Sequence, residues 1–206
     1  MDYLIKIYVS GGFMMHIISF VFLIALFIVL ERFVYLFIRA NIKAKPFMDK
    51  IFDLYKQRKI NDAIEICNKS NKPLSKIIGA ALIFHERIER DIQDAVDEVF
   101  LAEAPNIKKF TPLLSILSQI STMLGLLGTI FGLIDAFSAL NNVNPALRTE
   151  MLANGISKAM GTTAYGLLVA IFSIFFYAIL NAKAERIIDD IDEYSVKMLN
   201  FIKKYR

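Results

Sequence analysis

The chain has little from which to build a reaction centre. One cysteine, Cys67, in 206 residues excludes an intrachain disulfide. Two histidines, His16 and His85, stand apart, and no Cys or His cluster has metal-ligand spacing. His16, at the outer end of the first apolar stretch, suits an interfacial position, and His85 a surface one. A phosphate-cradling glycine loop, a nucleophile elbow and a paired acidic site are all missing. These absences point away from an enzyme, and no catalytic residue, metal or cofactor is expected.

Charge is also missing, in three long stretches. No Asp, Glu, Lys or Arg occurs between Lys6 and Glu31, between Lys109 and Asp135, or between Lys158 and Lys183. Each gap is about two dozen residues, and a helix needs roughly 20 apolar residues to cross the hydrocarbon core. With 56% hydrophobic residues and a mean hydropathy of +0.49, the chain reads as a membrane protein with three spans. The first gap is too long for a signal peptide. No small-residue cleavage site follows it, since it runs into "LERFVYLFIRA", so a retained helix is expected.

The basic residues set an expected orientation. Outside the gaps, Lys6 precedes the first, and Arg148 and Lys158 lie between the second and third. The other 21 of 24 fall between the first and second gaps or after the third. The positive-inside rule then places residues 1–10 and the 139–158 connection outside. Residues 39–109 and 183–206 fall in the cytoplasm. The spans are expected over 11–38, 110–138 and 159–182. Arg32, Arg39, Lys43, Lys45, Lys108, Lys109, Lys183 and Arg186 flank them and suit an anionic inner leaflet. The net charge of +4 needs no nucleic-acid partner.

The segments outside the spans read as helices. Ile60, Ala63, Ile64 and Cys67 recur at helical spacing, as do Leu74, Ile77, Ile78, Ala81 and Leu82, with Pro46 and Pro73 as punctuation. "ERIERDIQDAVDEVFLAEA" carries Ile88, Ile92, Ala95, Val96 and Val99 on one face and carboxylates, a solvated face, opposite. The tail keeps a stripe through Ile187, Ile188, Ile191, Val196 and Leu199, so span three is expected to continue as one helix. The turn-forming Asn144–Pro145 makes spans two and three an antiparallel hairpin.

What the spans do carry is small residues. In span two Ser118, Ser121, Thr122, Gly125, Gly128, Thr129, Gly132 and Ala136 repeat at three and four residues along one face. In span three Ala159, Thr162, Thr163, Gly166, Ala170 and Ser173 do the same. Gly128 and Gly132 form a GxxxG, so one reading is close helix packing. The other is a polar wall, because hydroxyls in a membrane need a polar partner or water. No carboxylate lies in mid-span; Glu31 and Asp135 sit near span ends. A proton pathway here would lack its own titrating group, so the acid would come from a partner. A ring of such subunits lined by threonines would surround a partner's helix.

These residues resemble the ExbB/TolQ/MotA family of ion-driven membrane motors, most closely ExbB and TolQ. The resemblance runs through "GGFMMHIIS", "LERFVYLF" and "DAIEICNKSNKPLSKIIGAAL". It is most specific in "TPLLSILSQISTMLGLLGTIFGLIDAF" and "GISKAMGTTAYGLLVAI". It implies an all-α, polytopic protein with three transmembrane helices and long cytoplasmic helical extensions, forming a ring, a homo-pentamer. It implies an ExbD- or TolR-like single-span partner supplying the ionisable Asp, and a TonB- or TolA-like protein that carries the work to the outer membrane. The family's pore threonines fall on Thr129 and Thr163. Two positions depart from the family pattern: Lys158 stands where many members have a glutamate, and Phe172 where a proline is frequent. Length argues against a flagellar MotA. A sodium-coupled channel using Thr162 and Thr163, and a non-conducting scaffold marked by Lys158, are the competing readings.

Overall fold

The computed structural model describes residues 12–140 and 145–205; the expected periplasmic N-terminus and part of the 139–158 connection lie outside the described residues. The described residues form seven α-helices: α1 (Gly12–Val34), α2 (Ala44–Lys56), α3 (Ile60–Lys69), α4 (Pro73–Ile83), α5 (Glu89–Lys108), α6 (Thr111–Ala139) and α7 (Arg148–Tyr205). No strand occurs among them. Three helical segments, containing α1, α6 and α7, are long and apolar enough to cross a membrane. At 1.5 Å per residue, the 58 residues of α7 measure about 87 Å, far more than a hydrocarbon core of roughly 30 Å.

Each break between helices has a local cause. α1 ends in a π-helical turn, Tyr35–Arg39, closed by Ala40 N–H donating to the Tyr35 carbonyl at 2.8 Å. Between α5 and α6 no loop intervenes. Phe110 adopts the left-handed region at φ 60°, which costs roughly 1–2 kcal/mol for a residue with a side chain, and Pro112 starts the next helix.

The helices pack as two units, Met1–Leu30 with Phe110–Ala178 and Glu31–Lys109 with Ile179–Arg206. In the first unit, Phe22 meets Phe172 edge to face at 5.1 Å between centroids, and Ser19 shares a 3.2 Å hydrogen bond with the Tyr165 hydroxyl. Phe20, Phe27, Leu126, Ile130, Leu168, Ile171 and Phe175 are all more than half exposed. An aqueous protein would hide such side chains; on a membrane helix they face lipid.

In the second unit α2 to α5 pack on one another in sequence, and Phe52 and Tyr55 of α2 meet Phe201 of α7 at 4.5 and 5.7 Å between ring centroids. Met48, Ile51, Ile77, Ile78, Leu82, Ile107 and Ile191 are buried there. Burial against α4 pushes the Cys67 thiol up to about 12. The tail stripe differs from the sequence expectation: Val196 is exposed, Ile188 and Leu199 are half-buried, and the buried face runs Ile187, Ile191, Ser195, Met198 and Ile202. That series keeps the three- and four-residue spacing, whereas Val196 lies about 100° round the helix from Ser195. Ile88, expected on the buried face of α5, is also exposed, since it precedes the first helical residue.

Arg32 is buried in this unit. Its Nε and Nη2 donate to the two Glu31 carboxylate oxygens at 2.5 and 2.8 Å, and Nη1 donates to the Asn106 carbonyl at 3.0 Å. Asn106 lies in the last turn of α5, where carbonyls have no donor within the helix. Arg32 therefore caps α5 from outside, at a carbonyl two residues before that helix ends at Lys108.

Candidate functional site

The two small-residue stripes face each other. A Cβ placed on Gly128 would lie 2.5 Å from Thr162 Oγ1 and 2.9 Å from Thr162 Cβ; one on Gly132 would lie 2.7 Å from Ala159 Cβ. At Gly125 it would meet Thr163 Cα at 3.2 Å. At Gly166 it would meet the Ser121 carbonyl oxygen at 2.7 Å and Gly125 Cα at 2.9 Å. Glycine is needed at these positions because backbone approaches backbone, which also lets hydroxyls cross between helices. Thr163 donates to the Gly125 carbonyl at 2.7 Å and Ser118 to the Ala170 carbonyl at 2.9 Å.

The other two threonines bond within their own helices. Thr162 is buried and donates to the Ala159 carbonyl at 2.7 Å. Thr129 is half-buried, with its hydroxyl on the Leu126 carbonyl at 2.6 Å. The structure thus joins Thr162, Thr163, Gly125, Gly128, Gly132 and Gly166 in one contact between α6 and α7. Thr129 is part-exposed, and its hydroxyl does not enter that contact.

Lys158 lies at the end of the contact nearest the α6–α7 connection. There α1, α6 and α7 enclose a cavity of about 430 Å³ lined by Met14, Phe131, Asp135, Lys158 and Thr162. Asp135 was legible in the sequence only as a span-end charge. Its spacing of three from Gly132 and seven from Gly128 puts it on the same helical face, a signal that could have linked it to Lys158. Ser118, which bridges to α7, stood on the small-residue face already in the sequence, whereas Tyr165, which bridges to α1, carries no sequence signal of that role.

The second unit has a separate cavity of about 690 Å³. Arg39, Lys72, Lys76 and Lys109 line it beside Glu31 and Glu103. Lys76 pairs with Glu103 at 2.7 Å, and Lys72 donates to the Asn41 carbonyl at 2.5 Å. Among the described residues no group of three or more His, Cys, Asp or Glu is arranged to hold a metal.

Comparison with known proteins places this arrangement in context. Residues 69–193 match the MotA/TolQ/ExbB proton channel family. The chain is similar to an ExbB homolog of Methanothermobacter thermautotrophicus, 28% identical over 198 residues, covering 96% of this chain and 69% of that protein. It is similar to biopolymer transport protein exbB1 of Vibrio cholerae, 30% identical over 118 residues, 57% of this chain and 52% of that protein. It also resembles the Tol-Pal system protein TolQ of Haemophilus influenzae, 31% identical over 114 residues, with 53% and 50% covered.

Proposed function

From the premise that this chain belongs to the MotA/TolQ/ExbB proton channel family, we propose that it is an ExbB-like channel subunit of an ion-driven motor. It is a multi-pass membrane protein with three spans. In this reading five copies form a ring in the inner membrane, N-termini outside and C-termini in the cytoplasm. An ExbD- or TolR-like single-span helix stands in the lumen. That partner supplies the acid that moves the proton, and a TonB- or TolA-like protein receives the resulting motion.

The observation that carries this reading is what the close-packed face offers and omits. The α6–α7 pair presents hydroxyls at mid-span, and no carboxylate lies in mid-span, since Glu31 and Asp135 sit near span ends. A proton path needs a titrating relay, and hydroxyls alone orient water without binding the proton. Thr129 is the candidate lining residue, since its side chain is part-exposed and its hydroxyl bonds within its own helix. Thr163 spends its hydroxyl on the Gly125 carbonyl, which fixes the wall. Thr162 is buried within it. Gly125, Gly128, Gly132 and Gly166 give the wall its thinness.

Thr129→Val keeps the shape and removes the hydroxyl. In the assembled complex this substitution should slow proton-motive-force-dependent uptake about tenfold, equivalent to about 1.4 kcal/mol on the barrier. Thr163→Val should lower it too, with weaker α6–α7 association. Unchanged uptake with normal assembly in both variants would rule out the lining role. A TolQ-like assignment is supported by the likeness to the Haemophilus influenzae protein and differs in the receiving system, not in the pathway. A flux that follows sodium instead of protons would move Thr162 and Thr163 to an ion-coordinating role.

A further inference from the structure

The cavity where α1, α6 and α7 meet has two charged side chains among its lining residues, Asp135 from α6 and Lys158 from α7. Both are exposed, and neither forms an ion pair with another described residue. Phe131, Met14 and Thr162 make up part of the remaining wall. A volume of about 430 Å³ holds on the order of a dozen waters at about 30 Å³ each. Opposite charges sharing a small, partly apolar space interact more strongly than they would in bulk water. Each charge closes or opens one of the charge-free stretches, at a depth where a lysine stem lets its head group reach water.

We propose that the Asp135 carboxylate is the group through which this cavity takes up a monovalent cation, and that the Lys158 ammonium competes for the same carboxylate and keeps the cation from being held. The fate of that cation rests on the channel reading above; the shared charge pair does not. Lys158 has a flexible four-carbon stem and three rotatable donors, so it can approach Asp135 when the cavity is empty and withdraw when a cation arrives. Without Lys158 the cavity carries a lone negative charge and retains cations. Without Asp135 it carries a lone positive charge and repels them.

The test uses the full chain with Cys67→Ser and Met14→Cys, which puts one reactive thiol on the cavity wall. Rates of modification by a cationic and an anionic methanethiosulfonate reagent are compared. With the pair intact the two rates should be similar. Lys158→Met should favour the cationic reagent by roughly tenfold, Asp135→Asn the anionic one by a similar factor, and the double variant should return to parity. Ratios that do not move among the four chains, or no reaction in any of them, would overturn the proposal. In the assembled complex Asp135→Asn should lower ion flux, and Lys158→Met should make flux saturate at a lower cation concentration. The expected reagent pattern with flux unaltered in both single variants would overturn the uptake role. Absence of flux in the unmodified complex would instead overturn the channel reading, and the reagent ratios would still decide the charge pair.

Discussion

Gly166→Ala should destabilise the membrane unit, although alanine is the better helix former. The substitution gains about 0.5–1 kcal/mol in helix propensity. Against that stands a Cβ placed 2.7 Å from the Ser121 carbonyl oxygen and 2.9 Å from Gly125 Cα. Both obstacles are backbone, so no side chain can rotate away, and overpacking of this kind costs about 1–3 kcal/mol. Separating α6 from α7 would also stretch the 2.7 Å bond from Thr163 to the Gly125 carbonyl. Gly79→Ala on α4 is the matching control. Its added Cβ would meet Cys67 Cβ at 3.3 Å, a contact that a small shift relieves. Thermal unfolding in detergent should show a lowered midpoint for Gly166→Ala and little change for Gly79→Ala. Equal behaviour of the two would show that the α6–α7 contact is looser than described.

Arg32→Met should lower stability more than any surface charge substitution. The guanidinium donates to both Glu31 carboxylate oxygens and to the last turn of α5, and stacks on the Tyr35 ring at 4.7 Å from its centroid. Removing it leaves a carboxylate and a helix-terminal carbonyl without that donor. Truncating one partner of a buried pair costs about 3–5 kcal/mol; Glu31 is 38% exposed and can recover water, so about 2–3 kcal/mol is expected. For a chain of this length that is a fall of about 5–10 °C in unfolding midpoint. Arg32→Lys keeps the charge but cannot span Glu31 and Asn106 together, and should fall between. An unchanged midpoint for Arg32→Met would mean that α5 does not depend on its cap.

Much of this architecture was legible because membranes impose few solutions. Three charge-free stretches identify three spans, and the small-residue spacing in spans two and three identifies the faces that meet. The sequence left open whether those faces pack or line a pathway. The structure places Gly125, Gly128, Gly132 and Gly166 in the packing contact. Periodicity alone could not do so, because glycine serves both ends. Arg32 was legible only as one of several flanking basic residues. Its burial depends on Glu31 beside it and Asn106, 74 residues later in the chain, and no local pattern encodes that distance. Val196 misled for a simpler reason: apolar identity suggested burial, but the angular position belongs to Ser195. The placing of Asp135 and Lys158 on one cavity wall depends on how α6 and α7 are brought together. The spacing of Asp135 from Gly128 and Gly132 hinted at it, and Lys158 adjoins Ala159 on the opposing stripe.

The central claim is that this chain forms the wall of an ion path whose titrating acid belongs to another protein. Proton flux into liposomes tests it directly, measured for the chain alone, for the chain co-assembled with an ExbD- or TolR-like partner, and for that complex with the partner's membrane aspartate neutralised. Flux from the intact complex, with none from the chain alone or the neutralised complex, is the predicted result. Equal flux from the chain alone would contradict it.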